Sequence, residues 1–320
     1  MTPVPSMQSL VQQYVDQRRR FGFALEIPAK QLMDFARFAD EKQHRGPLTS
    51  RIILEWVQGQ ATRATRFTWA RRLVVIRPFL KYLAGFIPGT EIPPAGTFGS
   101  PKRRLTPHIY TDQEIVDLVT TAGQMQAGGT LGSAVYQTLF GLIAATGLRI
   151  SEALNLRWGD IDLKQGLLTV RQTKFCKSRL LPLHPTVTAA LAGYATLRQC
   201  RFPVSANAHF FVSACGSRLP KSTAHQAFQR LRKRLQWTAR GGHAAPRIHD
   251  LRHTFICRRV MLWHKHGINI DHAMVVLSTY VGHAKVTDTY WYLTAVPELM
   301  AVAGQSFERF ASELGEGAHE

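Results

Sequence analysis

The stretch LGSAVYQTLFGLIAATGLRISEALNLRWGDID, Leu131 to Asp162, decides the fold. Up to Thr146 it is apolar on nearly every face, which suits a helix at the centre of a core rather than one lying half in water. Gly147 ends that helix, because glycine takes the left-handed backbone of a C-terminal cap without steric cost. Arg149 then stands just past the helix end, and Glu152 opens the next turn. Polar residues at the mouth of a buried helix are either caps or the start of a site, and this stretch alone leaves both readings open.

On the C-terminal side, GLLTVRQTK and RLLPLH are β-prone runs separated by a turn near Phe175 to Ser178, a small hairpin or sheet. Helical patterns resume at PTVTAALAGYATLRQ, STAHQAFQRLRKRL, DLRHTFICRRVMLW and PELMAVAGQSFERFASEL. On the N-terminal side, TDQE (Thr111 to Glu114) is a capping box that opens a helix. Before it, IPGTEIPPAGTFGSPKRRLTPHIY is rich in proline and glycine and poor in apolar residues, the composition of a linker. The chain up to about residue 90 is helical by pattern. AKQLMDFARFADEK aligns Leu32, Phe35, Phe38 and Ala39, and TSRIILEWVQGQ starts at a Thr49/Ser50 cap and aligns Ile52, Ile53, Trp56 and Val57. A third run, ATRATRFTWARRLVVIRPFLKYL, contains Pro78, expected to kink or break it. The expectation is a mainly α protein with a small β-hairpin or sheet (α+β). A helical domain would cover residues 1–95, a linker 96–108, and a second domain 109–320.

The chain carries 40 Lys or Arg against 21 Asp or Glu, a formal charge of +19. Solubility needs less than that, so a polyanion, nucleic acid first, is the implied partner. A merely basic surface is the alternative. The excess is not one tail: residues 1–105 hold 17 of the basic and 7 of the acidic residues, which suits a grip from two sides. Cys176, Cys200, Cys215 and Cys257 form no CxxC pair, which argues against a disulfide framework and a zinc site. His264 and His266 lie two apart, with His243, His253 and His272 near them in sequence, but the set lacks a clean zinc spacing, so no metal is expected. The opening MTPVPSMQSLVQQY has no basic-then-apolar signal pattern, and the longest apolar run is about half a membrane span. A protein of the reducing cytoplasm, with no membrane partner, is expected.

Four local patterns carry candidate chemistry. They are Arg149 in ATGLRISEALNLRWGDID, Lys174 in TKFCKSRLLPL, His249 and Arg252 in HDLRHTF, and His283 in VGHAKVTDTYWYL ahead of Tyr290 and Tyr292. Each has a plain structural reading by itself: a helix cap, a turn lysine, a chance i, i+3 pair, a loop histidine, core aromatics. Together they describe phosphodiester chemistry. Two guanidiniums can neutralise the non-bridging oxygens and the charge gained in a pentacoordinate transition state. A tyrosine can attack phosphorus once something takes its proton, since the free phenol has a pKa of about 10. A histidine can be that base or a hydrogen-bond donor, and a lysine on a turn can protonate the departing 5′ oxygen. Such a site requires no metal or other cofactor. Tyr290 and Tyr292 point to nearly opposite sides of a helix, so at most one faces the site, and geometry does not say which.

These boxes resemble the tyrosine recombinase (phage integrase) superfamily. Its TGLRxxEALxLxWxDID box puts Arg149 on the first catalytic arginine. Its KGxKxRxxPL hairpin aligns with KFCKSRLLPL, which puts Lys174 on the catalytic lysine and Lys177 on an accessory basic position. Its HxLRHTF box is met in full by His249 and Arg252, and VGH stands for the usual LGH, assigning His283. The nucleophile follows nine residues later, at Tyr292, with Tyr290 left as a packing residue on the other side. Two features depart from the pattern: KFCK replaces a turn where glycine is common, and a second tyrosine precedes the nucleophile. Neither removes a catalytic group.

The resemblance implies a site-specific recombinase of a mobile element. It would cleave and rejoin DNA through a 3′-phosphotyrosyl intermediate, without metal or ATP, as a tetramer on two duplex DNA sites. The helical core-binding domain and the catalytic domain would close on DNA as a C-shaped clamp in the cytoplasm, at the nucleoid. Candidate DNA contacts are Arg63, Arg66, Arg71 and Arg72, then Lys102, Arg103 and Arg104 in the linker, and Lys177. A solvated basic face is the other reading of the first four. PELMAVAGQSFERFASEL, apolar at Leu299, Val302, Phe307 and Phe310, can dock on a neighbouring subunit or fold back on its own domain. A type IB-like topoisomerase or resolving enzyme, and a non-catalytic DNA-binding regulator derived from a recombinase, are the alternatives.

Overall fold

A computed structural model of the chain describes residues 5–59, 65–101, 105–125, 130–171, 178–283, 285–294, 300 and 304. The chain forms two compact units, Met1–Arg104 and Leu105–Glu320, which divide inside the stretch expected as a linker.

The described part of the first unit holds helices α1 (Met7–Arg20), α2 (Glu26–Glu41), α3 (Ser50–Gly59) and α4 (Arg66–Ala84). Met7, Leu10, Val11, Tyr14 and Val15 recur at helical spacing and form the buried stripe of α1. Asp40, near the end of α2, accepts from the Met7 and Gln8 amides and so caps α1 from across the unit. α2 buries Leu32, Phe35, Ala36 and Ala39, with Phe38 only partly covered, and α3 buries Ile52, Ile53, Trp56 and Val57. Aromatic edges fasten this core, Tyr14 to Phe79 at 5.4 Å and Phe35 to Trp56 at 5.3 Å between ring centroids. α4 does not break at Pro78 but runs through it. Phe79, Leu80 and Leu83 are fully buried just beyond. Burying each is worth about 1.5–3 kcal/mol, which together outweighs a proline cost of about 3 kcal/mol.

The second unit continues with α5 (Asp112–Gly123), α6 (Thr130–Thr146) and α7 (Ile150–Asn155), then strands β1 (Ile161–Asp162), β2 (Leu167–Val170) and β3 (Arg179–Pro182). After the strands come α8 (Pro185–Gln199), α9 (Lys221–Arg234), α10 (Ile248–Lys265), α11 (Ile270–Val281) and α12 (Thr287–Thr294). α6 is central: it packs on α5, α8 and α10 with Leu139, Phe140 and Ile143 inside. Thr111 and Glu114 form the expected capping box of α5. The strands pair antiparallel in chain order, and Leu168 opposes Leu181, both buried in the core that α6 anchors. A smaller core joins α10, α11 and α12 through Phe255, Ile256, Val260, Met274, Leu277, Val281 and Tyr292. No described helix is long and apolar enough to cross a membrane. Arg63, Lys102, Arg103, Arg104, Lys174 and Lys177 lie outside the described residues, as does PELMAVAGQSFERFASEL apart from Met300 and Gly304.

Candidate active site

α10 starts behind Arg247, whose backbone N–H and guanidinium both bond to Asp250, itself fully buried in the first turn. Tyr110 clamps the same end. Its hydroxyl donates to the Arg247 carbonyl at 3.0 Å, and its N–H donates to Thr254 Oγ1 at 2.9 Å. On the helix so fixed, His249, Arg252 and His253 share one face at i, i+3 and i+4.

Arg252 is 1% exposed and ties two other helix ends to α10. Its Nη1 donates to the Gly147 carbonyl past α6 and its Nη2 to the Val281 carbonyl at the end of α11, both at 2.7 Å. Burial, then the neighbouring charge of Arg149, pushes its pKa down to about 10, so it stays cationic at neutral pH. Arg149 precedes α7. Its N–H and Nη1 bond to Glu152, and its Nη2 donates to the Gly282 carbonyl at 3.1 Å. Burial alone would raise the Glu152 carboxyl, but Arg179 and then Arg149 outweigh it and hold the group below the usual carboxylate range. Three guanidiniums thus stand against the one carboxylate that Arg149 and Arg179 share, an excess of positive charge that suits a phosphodiester.

Tyr292 of α12 is 4% exposed. Its ring stacks on His283 at 5.8 Å and lies 4.9 Å from His253. Burial raises the phenol pKa, while Arg252 opposes the rise by charge and hydrogen bond. His283 Nδ1 lies 2.7 Å from Thr289 Oγ1. Burial first, then Arg252 and Arg149, pushes the His283 pKa down to about 3. His253 is lowered to about 2, by burial first and then by His249 and Arg247. His249 keeps solvent exposure, yet the surrounding protein and then Arg252 and Arg247 shift it downward too. A neutral ring of this kind can accept a proton or a hydrogen bond on one nitrogen.

Arg149, His249, Arg252, His283 and Tyr292 are therefore brought together from four parts of the second unit. Tyr290, expected as a packing residue, is 36% exposed. Of the expected DNA contacts, Arg66 and Arg71 are exposed, with Arg71 over Phe67 at 5.8 Å. Arg72 turns inward: it donates to the Val57 carbonyl at 3.0 Å and lies over Trp56. The sequence reading missed the roles of Glu152, Arg179 and Thr289. The RxxE spacing of a capping box marks Glu152, and the arginine of the KGxKxRxxPL hairpin box, which falls on Arg179, is the signal for that residue. Among the described residues, no three His, Cys, Asp or Glu side chains are grouped to hold a metal ion.

Residues 110–298 match the model of the phage integrase family. A Sinorhizobium fredii protein named as an integrase/recombinase, y4rB, is 36% identical over 95% of this chain and 98% of its own. The tyrosine recombinase XerC of Thermodesulfovibrio yellowstonii is 26% identical over 82% of this chain and 81% of its own. Among solved structures, the XerH site-specific recombinase bound to palindromic difH substrate superposes with a TM-score of 0.65 at 16% identity, over 94% of this chain and 85% of that one. The Tn1549 transposon integrase in complex with transposon right end DNA gives 0.64 at 17% identity, over 94% and 99%, so the fold is shared. With the match running through every helix and strand of the site, the chain belongs to the phage integrase family, that of the tyrosine recombinases.

Proposed function

We propose that the protein is a site-specific DNA recombinase in which Tyr292 is the nucleophile. The observation that carries this reading is the Tyr292 phenol, buried beside Arg252 and between His283 and His253 in a cluster with excess positive charge. Tyr292 Oη bonds to phosphorus as the bond to the 5′ oxygen breaks, which leaves a 3′-phosphotyrosyl link and a 5′-hydroxyl. Arg149 and Arg252 hold the non-bridging oxygens and the charge that builds on them. A phenol pKa raised by burial needs a base at hand. The negative charge of a bound phosphodiester offsets Arg149 and Arg252, whose charges add to burial in lowering His249 and His283, and so restores the basicity with which either ring takes the proton. Lys174 gives a proton to the departing 5′ oxygen, the role the family resemblance assigns it. Attack by a partner strand's 5′-hydroxyl reverses the step, so bond energy is conserved without ATP or metal.

Duplex DNA is the partner, as it is for the XerH and Tn1549 proteins solved on DNA. Arg63, Arg66, Arg71, Lys102, Arg103, Arg104 and Lys177 are its candidate phosphate contacts, whereas Arg72 serves the helical unit itself. A tetramer on two sites, in the cytoplasm at the nucleoid of a cell carrying a mobile element, completes the reading. A nicked duplex tests it, because cleavage releases a short strand and leaves the protein covalently trapped. Nicked duplexes with randomised cores are incubated with the protein, and adducts that survive denaturation are sequenced. The unmodified protein and Tyr290→Phe should form adducts, and Tyr292→Phe should form none. An adduct with Tyr292→Phe overturns the nucleophile assignment. No adduct with the unmodified protein on any sequence overturns the recombinase reading in favour of DNA binding alone.

A further inference from the structure

Three successive carbonyls at the end of α11 are each taken by a different arginine. Tyr280 O accepts from Arg179 Nε at 2.8 Å, Val281 O from Arg252 Nη2 at 2.7 Å, and Gly282 O from Arg149 Nη2 at 3.1 Å. The last carbonyls of a helix lack intrahelical partners and carry the negative end of its dipole, so they suit cations. Two of these arginines have roles in the proposed chemistry. The third, Arg179, opens β3, and its side chain is only 10% exposed.

Arg179 also completes Glu152. The carboxylate accepts Arg179 Nη2 at 2.9 Å and Nη1 at 3.3 Å on its two oxygens, and Arg149 Nη1 and N–H at 2.8 Å and 3.0 Å on the same two. Two oxygens offer about four acceptor positions, so this carboxylate is saturated and cannot turn without breaking a bond. The Arg149 guanidinium is consequently fixed from both sides, by Glu152 and by Gly282 O, and Arg179 fixes both of those supports. Gly282 fits the same scheme: a Cβ there would lie 2.6 Å from Arg179 Nη1.

We propose that Arg179 is a positioning residue for the strand-cleavage step: it sets the Arg149 guanidinium by locking Glu152 and the end of α11. The proposal rests on the recombinase reading above. Without Arg179, Glu152 loses two of its four hydrogen bonds, and the end of α11 loses one of its three guanidiniums. Arg149 would remain present and charged but no longer held in one place. Misplacement on the scale of an ångström is enough to cost about 100-fold in rate.

The test uses the full chain and a nicked duplex selected by covalent capture with the unmodified protein. Arg179→Met should lower the single-turnover cleavage rate by about 10- to 100-fold, while equilibrium binding of the same duplex changes by less than about 3-fold. Arg179→Lys, which can reach Glu152 or Tyr280 O but not both, should fall between the two. In an Arg149→Lys background, Arg179→Met should cost no more than about 3-fold further, because the group it positions has already been changed. Glu152→Gln removes the same support from the other side and should repeat the rate loss, which covers the case of an Arg179→Met protein that does not fold. A full-size loss in the Arg149→Lys background overturns the proposal. So does a fall in DNA binding as large as the fall in rate, which would make Arg179 a DNA contact. An unchanged rate in both Arg179→Lys and Glu152→Gln overturns it as well. Failure of the unmodified protein to form any adduct would instead remove the recombinase reading on which it rests.

Discussion

α6 and α11 both stop at a glycine in the left-handed region, Gly147 at φ +66° and Gly282 at φ +70°. Both glycines hand their carbonyl to an arginine of the site, Gly147 to Arg252 and Gly282 to Arg149. What presses on them differs. A Cβ on Gly147 would lie 2.6 Å from Phe255 Cδ1, a ring in the core that α10 shares with α11 and α12. A Cβ on Gly282 would lie 2.6 Å from Arg179 Nη1, the far end of a long side chain held by hydrogen bonds. The group a Cβ would meet is a packed ring at one helix end and a hydrogen-bonded guanidinium at the other. Both caps hold an arginine of the site, but a change at Gly147 first meets packing that resists displacement, whereas a change at Gly282 first meets a hydrogen-bonded group that follows its partners.

Gly147→Ala is the harsher way to break this contrast. The left-handed backbone costs an L-residue about 1–2 kcal/mol, and overpacking against a fixed ring costs about 1–3 kcal/mol more. Denaturant unfolding should report a loss of about 3 kcal/mol, and a loss confined to about 1 kcal/mol would show that the Phe255 ring yields. Gly282→Ala should cost about 1–2 kcal/mol, the backbone share alone, since the Arg179 head can shift. That shift carries its penalty into the site, so Gly282→Ala should lose more cleavage rate on a captured nicked duplex for each kcal/mol of stability lost. Equal ratios of rate loss to stability loss in the two variants would erase the distinction between the ends.

How much of this was legible follows from where each signal lives. α6 was legible because its apolar character and its terminal Gly147 are both local to one stretch. The same holds for the capping box of α5. α11 was not predicted: IDHAMVVLSTYV is rich in β-branched residues, and Met274, Leu277 and Val281 become a helical face by packing in the α10 core. Of the kink or break expected at Pro78, the break does not occur for a related reason, since the local rule is overridden by the burial of Phe79, Leu80 and Leu83. In the site, Arg149, His249, Arg252, His283 and Tyr292 could be named because phosphoryl chemistry admits few side-chain types. The supports could not. Arg179 meets Glu152 across 27 residues and Tyr280 O across 101, and Arg149 meets Gly282 O across 133. A carbonyl has no residue type to betray it, and the hairpin box marks Arg179 without saying that its partners are Glu152 and Tyr280 O.

Acid gives the mildest probe of the α11 end, where His283 directly follows Gly282. The ring is faced by Arg149 of the loop before α7, by Arg252 and His249 of α10, and by Asp288, Thr289 and Tyr292 of α12. Burial, then the two arginines, hold its folded pKa near 3, whereas in the unfolded chain a histidine titrates near 6.5. Between these values the unfolded state binds a proton that the folded state refuses. Stability is therefore fully present above about pH 6.5 and declines as the pH falls from there toward the folded pKa. At pH 5.5 the loss is up to about 1.4 kcal/mol for a histidine kept neutral by folding, and less for a ring with some exposure. His283→Asn keeps a hydrogen-bonding group beside Thr289 and cannot titrate. Its unfolding free energy should fall less steeply than that of the unmodified protein between about pH 6.5 and 5, while the share owed to His253 is common to both and cancels. Equal slopes would mean that the folded site accepts an imidazolium beside Arg149 and Arg252. The polar end of α11 would then be looser than its arginine contacts imply, and closer to an ordinary helix cap.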